Sequence, residues 1–197
     1  MEAINQSLFL WLNAPDHPDH LILSIAIFLA RDLIWAIPAL IGIGWLYGGA
    51  RTRQLLLVAT ASAILGLFAN QLISLFWWHP RPFMVYLGHT LIAHAPDSSF
   101  PSDHLTLWWA VAFSFLAQGR HNLGTGLALL GVPLAWSRIY LGVHFPLDMV
   151  GAGLVAVAST WLSLRTAFWY LPPAFHLATL IHRKIFSPLI ACGWVKR

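Results

Sequence analysis

Residues 54–78 read QLLLVATASAILGLFANQLISLFWW, a run of 25 residues without a charged side chain. A helix that crosses the hydrocarbon core of a bilayer needs about 20 mostly apolar residues, so this run predicts a transmembrane helix. The whole chain of 197 residues has the same character, with 58% hydrophobic and 9% charged residues. These charges are too few to give a soluble fold its polar surface. The sequence therefore predicts an integral membrane protein.

Further apolar segments lie on both sides of this run. The five predicted spans are 33–48, 54–78, 104–117, 123–141 and 147–164. Residues 4–13 and 20–30 are apolar but too short to cross a bilayer alone, so we interpret residues 1–30 as interfacial helices. The alternative is that residues 20–30 join the first span as a helix that is kinked near Arg31-Asp32.

The C-terminal segment 168–197 is predicted to be a tail on the cytoplasmic side. It contains Pro172-Pro173 and His182-Arg183-Lys184. Basic side chains are costly at mid-bilayer, so the segment is expected to lie on the membrane surface. Residues 1–197 thus form one domain, an all-α membrane bundle of about five transmembrane helices with additional interfacial helices.

The charged residues predict the orientation of this bundle. With five spans, one side carries eight basic residues: Arg51, Arg53, Arg120, Arg165, Arg183, Lys184, Lys196 and Arg197. The positive-inside rule makes that side cytoplasmic. The other side holds Arg31, Arg81, Arg138 and all seven acidic residues, so the loop 79–103 and the turn 142–146 face outward. The net charge of +4 therefore reflects placement against a bilayer, and we expect no nucleic-acid partner.

Three short polar blocks lie at the predicted outer ends of the helices. They are His79-Pro80-Arg81-Pro82, Pro101-Ser102-Asp103-His104, and Ser137-Arg138 followed by His144 and Asp148. The guanidinium groups of Arg81 and Arg138 suit bidentate contacts to phosphate oxygens. Ser102 and Asp103 begin a helix, whose free N–H groups and positive dipole end favour an anion. These blocks indicate a phosphate-binding site.

The histidines of these blocks supply the groups for phosphoryl transfer. His144 and Asp148 are four residues apart and share a helix face. A carboxylate that accepts from one ring nitrogen leaves the other nitrogen free to attack phosphorus. His104, from a different helix, can protonate the departing oxygen and later activate water. We expect no metal and no cofactor, because the motifs contain no acidic cluster of the kind that hard cations prefer.

The blocks resemble the signature of the type 2 phosphatidic acid phosphatase (PAP2) superfamily, which reads Lys-x6-Arg-Pro, Pro-Ser-Gly-His and Ser-Arg-x5-His-x3-Asp. The resemblance covers residues 54–165, the predicted catalytic core. Nine fixed positions are present: Arg81, Pro82, Pro101, Ser102, His104, Ser137, Arg138, His144 and Asp148. The resemblance implies that His144 is the nucleophile, that Asp148 orients it and that His104 is the general acid. It implies that Arg81, Ser102 and Arg138 hold the phosphate, with Pro101 and Ser137 in the same substrate site.

Two positions depart from the family signature. Ser74 stands where the family has its lysine, and His79 is the nearest residue that could supply the missing cation. Asp103 replaces the glycine of Pro-Ser-Gly-His. A carboxylate beside a phosphate repels it, so Asp103 is expected to cap the third span or to orient a histidine, with its oxygens turned away. At both positions the sequence resembles the bacitracin-resistance (BcrC-type) branch of the superfamily. That branch is similar to undecaprenyl-diphosphate phosphatases.

The resemblance implies a lipid-linked diphosphate, undecaprenyl diphosphate, as the substrate. It also implies membrane lipids as neighbours, and a bacterial inner membrane with the site on the periplasmic face. The motifs bind the phosphoryl group and not the tail. Another lipid phosphatase or phosphotransferase, acting on phosphatidylglycerol phosphate or a lipid A phosphate, therefore remains an alternative. A non-enzymatic lipid transporter on the same fold is a third hypothesis, although a transporter needs no nucleophile.

Overall fold

The computed structural model describes residues 2–196, and all regular secondary structure within these residues is helical. The α-helices of this part of the chain are α1 (Glu2–Leu12), α2 (His20–Ile27), α3 (Ala36–Tyr47), α4 (Ala50–Phe76), α5 (Asp103–Ala117), α6 (His121–Tyr140), α7 (Pro146–Ile185) and α8 (Ser187–Ala191). The predicted all-α class is confirmed. Three helical stretches of residues 2–196 are long and apolar enough to cross a membrane: His20–Tyr47, Ala50–Phe76 and Pro146–Ile185.

The first of these stretches corrects the prediction for residues 20–30. They do not form a separate interfacial helix, because α2 continues through a π-helical turn (Phe28–Asp32) and a 3₁₀ turn (Leu33–Trp35) into α3. Asp19 starts the stretch, since its carboxylate accepts from the backbone N–H groups of Leu21 and Ile22 at 2.8 and 3.1 Å. The alternative, that residues 20–30 join the first span, is therefore the correct one.

The last stretch corrects the predicted C-terminal boundary. Helix α7 does not end near residue 164 but runs for 40 residues, through Pro172-Pro173, to Ile185. Proline removes a backbone donor, but its fixed φ is compatible with a helix, so the pair weakens the helix without ending it. The far end of α7 returns to the start of α4, where Nε2 of the buried His182 lies 2.9 Å from Nη2 of Arg53.

Helices α5 and α6 complete the bundle beside α4 and α7. Helix α5 has 15 residues, about 22 Å at 1.5 Å per residue, which is short of a full crossing. It is enclosed by its neighbours: Trp108 is fully buried and its Nε1 donates to the Leu127 carbonyl of α6 at 2.6 Å. A Cβ on Gly66 of α4 would lie 2.8 Å from Thr106, so a small residue allows this close helix contact.

The N-terminal helix α1 covers the end of the bundle that carries the polar blocks. The Asn13 side chain just after α1 donates to the His89 and Tyr140 carbonyls at 2.9 and 3.0 Å. The ring of Phe9, fully buried, packs edge-on against Phe145 with 5.3 Å between centroids. These contacts fix the loop 77–102 and the turn 141–145 relative to each other.

Candidate active site

The three polar blocks meet at one end of the bundle, although they are far apart in sequence. The loop after α4 supplies Arg81, the start of α5 supplies Ser102 and His104, and the last turn of α6 supplies Arg138. His144 lies in the turn before α7, and Asp148 in the first turn of α7. Arg81, Ser102, Arg138, His144 and Asp148 are each buried, with 5% or less of their surface exposed.

The side chains of His144 and Asp148 form a buried, hydrogen-bonded pair. Nδ1 of His144 lies 3.1 Å from Oδ2 of Asp148, and the same oxygen accepts from the Phe145 backbone N–H at 2.8 Å. Because a carboxylate only accepts, Nδ1 carries the proton and Nε2 presents its lone pair. Burial, with the charges of Arg138 and Arg81, holds the pKa of His144 well below its ordinary value. The imidazole is therefore neutral, and its Nε2 carries no proton.

Arg81 lies directly beside that lone pair. Its Nη1 is 3.1 Å from Nε2 of His144 and donates to the Val143 carbonyl at 2.8 Å. Nε donates to Asp97 at 2.8 Å and Nη2 to the Ser98 carbonyl at 3.1 Å. Partial burial raises the pKa of Asp97, but the hydrogen bond and charge of Arg81 outweigh this and hold that pKa below its ordinary value. The guanidinium is thus fixed against Nε2 of His144.

Arg138 is held from the other side of the site. Its Nη2 lies 2.9 Å from Nε2 of His94, and its Nη1 donates to the Ala30 carbonyl at 3.3 Å. Burial, followed by the charge of Arg81, lowers the pKa of His94, so this ring is neutral and accepts from Arg138. His94 was not among the residues that the sequence motifs predicted.

Two buried donors of the site have no hydrogen-bond partner among residues 2–196. They are Oγ of Ser102 and Nε of Arg138. Buried polar atoms in proteins are almost always hydrogen-bonded, and an unpaired one is costly. Both belong to residues for which the sequence predicts phosphate contacts, and phosphate oxygens are acceptors. The donor set of the site therefore fits an oxyanion.

A cavity of about 600 Å³ opens beside these groups. Its walls include His94, His104 and Arg138 from the polar blocks and the loop, together with Ala30 and Arg31 from the π-helical turn. Apolar side chains of the loop, Leu91 and Ile92, line the remainder. His104 therefore faces the same space as Arg138.

The structure also places Asp103, Ser137 and Pro101, three further residues that the sequence assigns to the substrate site. The Asp103 carboxylate accepts from the Asn70 and Gln71 side chains of α4 at 2.8 and 3.4 Å, so it neither caps α5 nor orients a histidine. Ser137 donates back to the Leu134 carbonyl at 2.7 Å within α6. Pro101 is buried next to Ser102.

The ring of His79 lies beside Glu2. Its Nε2 is 3.8 Å from the Glu2 carboxylate, while its backbone carbonyl accepts from the Ser99 N–H at 2.8 Å. At the family's lysine position, Ser74 Oγ donates to the Phe100 carbonyl at 3.3 Å. Both residues therefore hold the loop 77–102 in place.

The structure also adds Ser99 to the site. This residue is fully buried and its Oγ donates to Oδ2 of Asp148. With the Phe145 N–H, it holds the carboxylate toward Nδ1 of His144. In the sequence, Ser99 lies in the run Asp97-Ser98-Ser99 of the outer loop, outside the three polar blocks.

A profile of the PAP2 superfamily matches residues 52–172. The chain is 36% identical to the putative undecaprenyl-diphosphatase YbjG of Escherichia coli (strain K12), over 100% of this chain and 99% of that protein. It is 34% identical to the undecaprenyl-diphosphatase BcrC of Bacillus subtilis (strain 168), over 94% and 95% of the two chains. The crystal structure of Aquifex aeolicus LpxE has the same fold, with a TM-score of 0.65, 21% identity and coverage of 82% and 95%.

Proposed function

Because the chain belongs to the PAP2 superfamily, we propose that it hydrolyses undecaprenyl diphosphate to undecaprenyl phosphate and inorganic phosphate through a phosphohistidine at His144. The observation that carries the proposal is the arrangement around His144: Nδ1 faces Asp148 and Nε2 faces Arg81. The choice of substrate is supported by the relatives that are named undecaprenyl-diphosphatases.

In the first step, Nε2 of His144 attacks the terminal phosphorus of the substrate. The N–P bond forms as the bridging P–O bond breaks, and the leaving group is undecaprenyl phosphate. His104, in the wall of the cavity, protonates the departing oxygen. Asp148 stabilises the charge that the imidazole gains, through the hydrogen bond from Nδ1.

In the second step, water hydrolyses the phosphohistidine. His104 takes a proton from the water, whose oxygen attacks phosphorus as the N–P bond breaks. Inorganic phosphate leaves and Nε2 regains its lone pair. In both steps the negative charge on the transferred group is stabilised by Arg81, Arg138 and the Ser102 hydroxyl. Hydrogen bonds hold the two guanidinium groups in place before the substrate arrives.

We further propose that the protein resides in a bacterial inner membrane with this site on the periplasmic face. The support is the segregation of charge, since the end of the bundle opposite His144 carries Arg51, Arg53 and Arg120. In that position the enzyme would recycle the lipid carrier for cell-wall synthesis. Bacitracin resistance is the phenotype expected from its overproduction.

The proposal predicts phosphate release from undecaprenyl diphosphate by purified protein in detergent with excess EDTA. No step above uses a metal ion, so we expect EDTA to change the rate by less than about 2-fold. Phosphatidylglycerol phosphate and a lipid A phosphate serve as rival substrates in the same assay. If a rival substrate has the higher kcat/KM, the proposed substrate is wrong but the proposed mechanism still stands. Loss of activity in EDTA would contradict the metal-free mechanism.

Replacing Ser99 by alanine is expected to lower kcat about 10- to 100-fold with little change in KM, because Asp148 loses a donor that orients it. Ser99→Thr, which keeps the hydroxyl, is expected to restore much of the rate. Ser98→Ala is the matched control, since Ser98 lies in the same loop and its hydroxyl contacts His79 and Phe100 instead. Equal losses of kcat in Ser98→Ala and Ser99→Ala would indicate that both residues only maintain the structure of the loop.

A further inference from the structure

Arg31 lines the cavity of about 600 Å³ together with His104 and Arg138, but the mechanism above gives it no role. Its side chain is 77% exposed, and its ion pair within residues 2–196 is a 4.0 Å contact from Nε to the adjacent Asp32. An exposed pair at that distance restrains the side chain weakly. The Arg31 guanidinium is therefore free to bind an anion that enters the cavity.

The π-helical turn Phe28–Asp32 fixes the backbone of Arg31 against the site. Within the turn, the Leu33 N–H reaches back five residues to the Phe28 carbonyl. The Ala30 carbonyl accepts a hydrogen bond from Nη1 of Arg138, one of the proposed phosphate ligands, at 3.3 Å. π-Helical turns inside α-helices occur frequently at functional sites. This one attaches Arg31 to the wall that carries Arg138.

A separate apolar groove of about 340 Å³ lies along the same two helical stretches. Ile34 and Leu107 line the groove, and they follow Arg31 and His104 by three residues. Side chains three residues apart lie on the same face of a helix. The cavity lined by Arg31 and His104 is therefore followed, about one turn further along both helical stretches, by the apolar groove lined by Ile34 and Leu107.

We propose that Arg31 binds the lipid-linked phosphate of the substrate and makes the site selective for lipid diphosphates over lipid monophosphates. This inference rests on the proposed function. With the terminal phosphorus at His144 and the tail in the groove, the second phosphate lies between them, at the level of Arg31. That phosphate gains negative charge when the bridging P–O bond breaks, so an arginine there stabilises the leaving group. Arg31 thus supplies a cation to a site in which Ser74 replaces the family's lysine.

The test compares two inhibitors with the same tail, farnesyl methylenebisphosphonate and farnesyl phosphonate. Their Kd values are measured by calorimetry on wild type, Arg31→Gln, Arg31→Lys and Arg51→Gln. For Arg31→Gln we expect the Kd of the bisphosphonate to rise about 10- to 100-fold and that of the monophosphonate less than about 3-fold. Arg31→Lys is expected to recover part of the loss. Arg51→Gln, an exposed arginine at the other end of the bundle, is expected to match wild type.

Equal weakening of both inhibitors in Arg31→Gln, or no weakening of either, would overturn the role of Arg31. The same holds if wild type shows no preference for the bisphosphonate. Turnover of undecaprenyl diphosphate by wild type is measured separately. Absence of that turnover would contradict the proposed function. Turnover by a protein that binds the two inhibitors equally well would contradict only the inference about Arg31.

Discussion

Replacing His144 by alanine is expected to lower kcat/KM for undecaprenyl diphosphate by at least about 10⁴-fold, because the atom that forms the covalent bond is removed. In wild type, Nε2 is neutral, buried and beside Arg81, while Nδ1 is held by Asp148. A rapid quench with substrate labelled in the terminal phosphate should trap an acid-labile, alkali-stable phosphohistidine in wild type. The variant should give no such adduct.

His121→Ala is the matched control for this experiment. His121 is exposed at the start of α6, at the opposite end of the bundle from His144, so its removal should leave both the rate and the trapped adduct unchanged. Thermal unfolding of both variants shows whether the buried substitution has disturbed the fold. A folded His144→Ala protein that retains more than a few per cent of the wild-type rate would contradict covalent catalysis at His144.

The helical membrane class could be predicted from the sequence because it depends on composition alone. Long uncharged runs such as 54–78 can satisfy their backbone groups in a bilayer only as helices. The boundaries could not be predicted in the same way. Arg31-Asp32 and Pro172-Pro173 both indicated breaks, yet each lies within a continuous helical stretch. In the first case a π-helical turn leaves both charges exposed, and in the second the φ angle of proline suits the helix.

Some residues of the site could also be predicted from the sequence, whereas others could not. His144 and Asp148 are four residues apart, so a contact between them could be predicted from the sequence, although His144 itself lies in the turn before α7. Ser99 lies in an irregular loop beside Ser98, and no periodicity shows which of the two hydroxyls faces Asp148. His94 is one of ten histidines and belongs to no motif. Its position next to Arg138 depends on the path of the loop across the bundle.

Two residues beside the phosphate motifs make contacts that the motifs do not predict. His79 is two residues from Arg81, yet its Nε2 lies 3.8 Å from the Glu2 carboxylate. Asp103 adjoins Ser102, yet its carboxylate binds Asn70 and so holds α5 against α4. This contact depends on a partner in α4 that the motif does not contain.

Replacing Arg138 by glutamine is expected to lower kcat/KM about 10³-fold, because the transferred phosphoryl group loses a fixed charge and a donor in a buried site. The buried Nε of Arg138 has no partner among residues 2–196, whereas its two Nη atoms are held by His94 and Ala30. The guanidinium is thus already oriented for phosphate. We expect Arg138→Lys to remain at least about 10-fold impaired, since an ammonium keeps the charge but loses the planar fork.

Inhibition by orthovanadate, an analogue of the phosphoryl group in transfer, separates loss of phosphate binding from general damage. The vanadate Ki should rise in Arg138→Gln roughly in parallel with the loss in kcat/KM, because the analogue uses the same donors. Arg120→Gln is the matched control, since Arg120 is exposed at the opposite end of α6. A slow Arg138→Gln variant with an unchanged vanadate Ki would place Arg138 outside the phosphate site. Its role would then be to hold His94 and the π-helical turn.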